Sequence, residues 1–179
     1  MALKPQDIYV VLKLVATAES GRAPYSQLAA ALAMSPSEVH ACVKRAQASH
    51  LLHGSDMQNR PNVAALEEFL VHGLKYVFPA ERGELTRGVP TSYGAEPLSS
   101  MVVQGNEPIP IWPYEEGKKR GIAFAPLYKT APQAALNDRR FYEYLVIADA
   151  LRDGRIRERK IAEKELHRRL RETDGRFKS

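Results

Sequence analysis

Apolar residues recur every three or four positions in four runs along the first 78 residues, and each run predicts a helix. From Gln6 to Glu19, Ile8, Val11, Leu12, Leu14 and Val15 form a broad apolar face, and Gly21 stands where a helix terminator belongs. Leu28 and Leu32 mark a shorter helix near Ser26–Leu32, and Val39, Cys42 and Val43 mark a third over Ser35–Ser49. That third helix carries its own start signal. Ser35 is an N-cap, Pro36 fits the first helical position, and Glu38 three residues on completes a capping box. A fourth helix begins after Asn62, with Leu66, Phe69, Leu70, Leu74 and Val77 as its buried stripe and Pro79 as its stop. Between the third and fourth, Leu51-Leu52-His53, the polar Gly54–Asn59 and Arg60-Pro61 read as a strand, a loop and a return.

Beyond Pro79 the helical period disappears until about Asn137, and most of the chain's 12 prolines lie in that stretch. Ile109–Pro113 and Gly121–Ala125 flank the charged Glu115–Arg120 turn, which predicts a β-hairpin whose proline-bearing arm sits at a sheet edge. Leu98–Val103 reads either as a strand or as a short helix. Trp112, Phe124, Leu127 and Tyr128 need somewhere to bury, which argues against disorder here. Asp138 then opens a helix with Phe141, Tyr142, Leu145, Val146 and Ala148. A charged helix follows from Arg155 to Arg171, with Ile156, Ala162, Leu166 and Leu170 as a thin apolar stripe. The whole predicts an α+β, mainly helical fold in two parts. Residues 1–78 form one unit, and 79–179 form an extension made of a Pro/Gly-rich connector and hairpin (79–137) and helices (138–171).

Charge is unevenly placed. Up to Leu151 there are 15 Lys/Arg against 15 Asp/Glu, whereas from Arg152 onward there are 11 against 6. The net charge of +5 therefore resides in the last helix, far in sequence from the Ser35 start signal. Basic character favours nucleic acid in general terms, but this placement makes charge alone a weak argument. One cysteine, Cys42, excludes an internal disulfide framework and fits a reducing compartment. Met1-Ala2-Leu3-Lys4-Pro5 has no leader-peptide pattern and no apolar run reaches membrane-spanning length, so a cytoplasmic protein without membrane contact is expected.

The order helix, helix, capped third helix, strand–loop–return, helix resembles the winged helix-turn-helix DNA-binding proteins and, more loosely, the MarR-like transcriptional regulators. The resemblance covers roughly Pro5 to Phe78. One departure is Ala33, where many members place glycine at the turn. The resemblance implies that the third helix enters the major groove of double-stranded DNA, with a wing beside it. On that reading Val39, Val43 and Ala46 face the core, and Ser37, His40, Ala41, Lys44, Arg45 and Ala48 face outward. The expected DNA-contacting residues are Ser35, Ser37, His40, Lys44 and Arg45 on the helix, with Gln58, Asn59 and Arg60 in the wing. Lys44 and Arg45 suit phosphates, and Arg45 also suits a guanine edge. A solvated helix face and a plain polar loop are the alternatives.

Other motifs exclude more than they assign. His40, His50, His53 and Cys42 match no metal-site spacing, so no metal is expected. No nucleophile elbow, zinc-protease helix or nucleotide loop is present, so neither an enzyme nor a cofactor is expected. Gly83–Tyr93 reads either as a surface connector or as a cradle for an anion, and residues 83–128 together as a possible dock for another protein. The thin stripe of the last helix suggests a homodimer arm, with DNA contact or a solvated helix as alternatives. The expected function is a dimeric, sequence-specific DNA-binding transcription regulator acting as a repressor. The alternative is a protein-binding antitoxin or adaptor of a toxin or phage-defence system, with the winged helix as scaffold or autoregulator.

Overall fold

A computed structural model of the chain describes residues 1–21, 23–54 and 59–178. Helix α1 (Pro5–Ala16) starts on a proline, and the Asp7 carboxylate two residues on accepts the Lys4 backbone N–H at 2.8 Å. Every residue from Asp7 to Lys13 is buried, so α1 is covered on all sides rather than on one stripe. A 3₁₀ turn (Ala18–Ser20) and Gly21, at φ 77°, end it. Helices α2 (Tyr25–Leu32) and α3 (Pro36–Ala48) come next, separated by Ala33, Met34 and Ser35. Ala33 takes the left-handed conformation, φ 52° and ψ 44°. For a residue with a Cβ this costs roughly 1–2 kcal/mol, and the turn is made without the glycine the sequence pattern wants.

Where a strand, loop and return are expected after α3, the described residues form a single antiparallel bridge between Leu52 and Pro61, and residues 55–58 of the loop lie outside them. Two backbone hydrogen bonds of 2.9 Å frame the bridge, from His53 N–H to the Arg60 carbonyl and from Asn62 N–H to the Leu51 carbonyl. Asn62 then caps α4 (Val63–Glu68) through its side chain, and the helix runs on through one wide π turn (Phe69–Gly73) into α5 (Leu74–Val77). Leu66, Leu70 and Leu74 keep the buried stripe, while Val77 is exposed. A π turn takes about 4.4 residues instead of 3.6, so Leu70 and Leu74, four apart across it, stay on one side while Val77 falls out of the stripe.

The sheet corrects the hairpin. Strand β1 (Arg82–Pro90) occupies the segment expected to be a connector. It pairs antiparallel with both β2 (Pro110–Pro113) and β3 (Lys119–Phe124). The two proline- and glycine-bearing arms do meet, but parallel to one another, with Ile111 opposite Ala123, so three strands close into a small barrel. Glycine makes that closure possible. A Cβ on Gly88 would lie 1.7 Å from the Trp112 carbonyl oxygen, and one on Gly121 would lie 2.0 Å from that of Ile109. Because β2 is paired on both sides, it is not an edge strand. Its prolines take part as acceptors, as when the Pro110 carbonyl receives Thr91 N–H at 3.0 Å.

Leu98–Ser100 is a 3₁₀ turn, and α6 (Ala131–Leu136) is a helix absent from the sequence reading. Helix α7 (Arg139–Asp153) is capped by Asp138 and buried from Tyr144 through Arg152. Helix α8 (Ile156–Lys178) is longer than expected, and Ile156 lies outside its stripe at 65% exposure. Ala162, Leu166 and Leu170 are covered by α7 and α4 of the same chain, so the stripe that suggested a second subunit already has a cover. One apolar core draws residues from both halves of the chain. The Tyr9 ring of α1 lies 5.2 Å from Phe141 of α7. The fold is mainly helical α+β with one small sheet. Among the described residues no helix is long and apolar enough to cross a membrane.

Candidate nucleic-acid interface

The start of α3 is built as its sequence dictates. Ser35 Oγ accepts the Glu38 backbone N–H at 3.2 Å, and Glu38 Oε2 accepts the Ser35 backbone N–H at 3.0 Å and the Ser35 hydroxyl at 2.9 Å. The Ser35 backbone N–H, followed by the Ser35 hydroxyl, holds the Glu38 carboxyl below the usual carboxylate range. Ser35 and Glu38 are thus occupied in fixing where the helix begins. Val39, Cys42, Val43 and Ala46 turn inward, and burial pushes the Cys42 thiol up to about 12. This leaves Ser37, His40, Lys44 and Ala48 exposed in one row, with Ala41 half-buried among them. The His40 ring stands edge-on to Tyr25 of α2, with centroids 5.6 Å apart.

Arg45 departs from the outward position expected of it. Its Nη2 donates to Asp7 Oδ1 at 2.7 Å and its Nε to Oδ2 at 2.8 Å, while Nη2 also reaches Cys42 Sγ at 3.5 Å. The Asp7 side chain is fully buried and that of Arg45 is 13% exposed. A carboxylate in that position requires a partner, and the guanidinium fork matches it bidentately. Lys44 is therefore the one exposed cation of α3 with no ion pair among the described residues.

The wing candidates are distributed unevenly. Asn59, at φ 28°, donates through Nδ2 to Tyr25 Oη at 3.0 Å and accepts from Gln47 Nε2 at 3.1 Å, so this residue is tied to both α2 and α3. Arg60 is half-buried and lines a cleft of about 610 Å³ with Thr17, Tyr25, Gln27 and Pro61. Gln58 lies outside the described residues.

Tyr128 is the residue the sequence reading missed. It comes after β3, yet its hydroxyl donates to Glu38 Oε1 at 3.0 Å, at the first turn of α3. Beside it, Thr130 Oγ1 donates to the Leu32 carbonyl at 2.7 Å, closing the end of α2. Ninety residues separate Tyr128 from Glu38, and no local pattern marks such a pair. Of the other aromatics in the expected dock, residues 83–128, Tyr93 and Tyr114 are half-buried, whereas Trp112 and Phe124 lie inside. Trp112 is buried and donates from Nε1 to the buried Asp149 carboxylate at 2.7 Å, and Phe124 and Leu127 are core residues. Among the described residues no three His, Cys, Asp or Glu side chains gather as metal ligands. The chain matches no family model, no curated protein and no solved structure.

Proposed function

We propose that this chain is a DNA-binding transcription regulator that lays α3 into the major groove of double-stranded DNA and acts as a repressor by occluding a promoter. The observation that supports this most is the pairing of two helices across the three-residue Ala33–Ser35 turn. The second helix is capped and presents Ser37, His40, Ala41 and Lys44 on its free face. In helix-turn-helix docking the first residues of the second helix reach base edges, and cations further along meet phosphates. Ser37 and His40 suit the first role and Lys44 the second. Arg45 serves by locking α3 to α1, and Asn59, bonded to Gln47 of α3 and Tyr25 of α2, supports the reading of the segment before Pro61 as a wing. As a homodimer the protein would set two such helices about 34–36 Å apart on a pseudo-palindromic site.

Titration of the full-length protein against its own upstream DNA tests the reading. Binding in the nanomolar range that weakens steeply with salt, and loses several-fold with Lys44→Ala, is the expected result. Salt-insensitive or absent binding would overturn it. The near-neutral outer face of α3, with Lys44 its one cation lacking an ion pair among the described residues, favours a second reading: a protein-binding antitoxin or adaptor in which the helix pair is scaffold. Stoichiometric co-purification with the product of a neighbouring gene, without DNA binding, is the result that reading expects.

A further inference from the structure

We propose that Lys129, held in place by Tyr128 and Thr130, is a phosphate contact at the start of α3, so that the C-terminal half supplies part of the DNA-binding surface. The inference rests on the DNA-binding reading above and deepens it.

The segment after β3 is pinned on both sides of Lys129. Tyr128 Oη donates to Glu38 Oε1 at 3.0 Å, and its ring lies 5.5 Å from that of Tyr9. Thr130 Oγ1 bonds the Leu32 carbonyl at 2.7 Å and meets Tyr9 Oη at 3.1 Å. One residue on each side is therefore fixed to the helix pair: Tyr128 to the first turn of α3, Thr130 to the last turn of α2. Consecutive Cα atoms are about 3.8 Å apart, so Lys129 is held at the junction of α2 and α3. Its side chain is exposed and has no ion pair among the described residues.

The charge at this junction calls for a cation. Ser37 and His40, the residues best placed for base edges, lie beside Glu38, an exposed carboxylate. Left alone, that carboxylate would repel a phosphate at the mouth of the groove. The Lys129 charge already acts on it in the free protein. Lys44, likewise without an ion pair among the described residues, lies eight residues from Pro36, about 12 Å along the helix axis. Lys129, next to the Tyr128 that bonds Glu38, and Lys44 thus stand toward opposite ends of the row Ser37–His40–Ala41, so that each can meet a separate phosphate.

The test is the salt dependence of full-length protein binding to its own upstream DNA duplex, for wild type, Lys44→Gln, Lys129→Gln and Tyr128→Phe. Each released phosphate contact contributes about 0.9 to the slope of log K against log salt. Lys129→Gln is expected to lower that slope by about 0.9, as Lys44→Gln does, and to weaken binding several-fold. Tyr128→Phe, which removes only the hydroxyl, is expected to lose part of the same slope with thermal unfolding unchanged. A wild-type slope retained in Lys129→Gln, while Lys44→Gln lowers it, would overturn the inference and leave the DNA-binding reading standing. Absence of salt-sensitive binding by the wild type would overturn both.

Discussion

Arg45 and Asp7 join the third helix to the first through a bidentate ion pair, with Nη2 2.7 Å from Oδ1 and Nε 2.8 Å from Oδ2. Asp7 is fully buried and also caps α1 by accepting the Lys4 N–H. The same carboxylate therefore fixes where α1 begins and how α3 lies across it.

Removing the cation leaves that charge buried and uncompensated. Arg45→Met is expected to destabilise the fold by about 3–5 kcal/mol in urea unfolding. The double variant Asp7→Leu/Arg45→Met should recover part of this. Full recovery is not expected, because the α1 cap, worth about 1 kcal/mol, is lost as well. Equal destabilisation by single and double variants would show that the pair is not coupled.

The closed sheet depends on backbone approach at Gly88, where a Cβ would fall 1.7 Å from the Trp112 carbonyl oxygen and 2.7 Å from the Ile111 side chain. The obstacle is backbone and cannot swing aside. Gly88→Ala is expected to cost about 3 kcal/mol or more, at or beyond the top of the usual overpacking range. Gly105, with nothing within 4 Å of its Cβ position, is the control, and Gly105→Ala should shift the unfolding midpoint little.

Stability should fall on acidification. At Asp138 burial works against ionisation. The Lys13 hydrogen bond, at 2.5 Å, and the Phe141 backbone N–H nonetheless hold the carboxyl below its ordinary value. At Glu165 the Arg168 hydrogen bond comes first, burial opposes it, and the Arg169 hydrogen bond adds to the lowering. A carboxyl depressed in the folded state stabilises fully above its unfolded value, about pH 4. That contribution is lost as pH falls through the folded value. In the melting temperature the contribution of these two carboxyls should therefore be full from neutral pH down to about pH 5 and decline below pH 4, whereas Asp149, raised by burial, acts with the opposite sign. Asp138→Asn should flatten part of that decline, and an unchanged acid limb in that variant would count against the Lys13 pairing.

Much of the helical half is legible because its signals are local. The Ser35-Pro36-Ser37-Glu38 start of α3 is read within four residues, and the capping bonds form across the same four. The spacing of Leu66, Leu70 and Leu74 likewise survives one wide turn, since it concerns one side of one helix. The barrel is not legible in this way. Ile109–Pro113 and Gly121–Ala125 look like the arms of a hairpin because they lie close in sequence. Each instead takes β1 as its antiparallel partner, and the glycines that let strands cross say nothing about which strands do. The stripe on α8 does need a cover, but a pattern on one helix does not name the element that supplies it.

The candidate site divides along the same line. By itself, the sequence determined that a capped helix begins at Pro36, that Val39, Val43 and Ala46 face inward, and that Ser37, His40 and Lys44 do not. Capping and helical period act over three or four residues, so they are written in order along the chain. Only the tertiary structure decided that Arg45 turns back onto Asp7 and that Tyr128 brings Lys129 to the start of α3. Those contacts join residues 38 and 90 positions apart. They form because a buried carboxylate needs a cation and a folded sheet happens to end where α3 begins, and no local pattern encodes either.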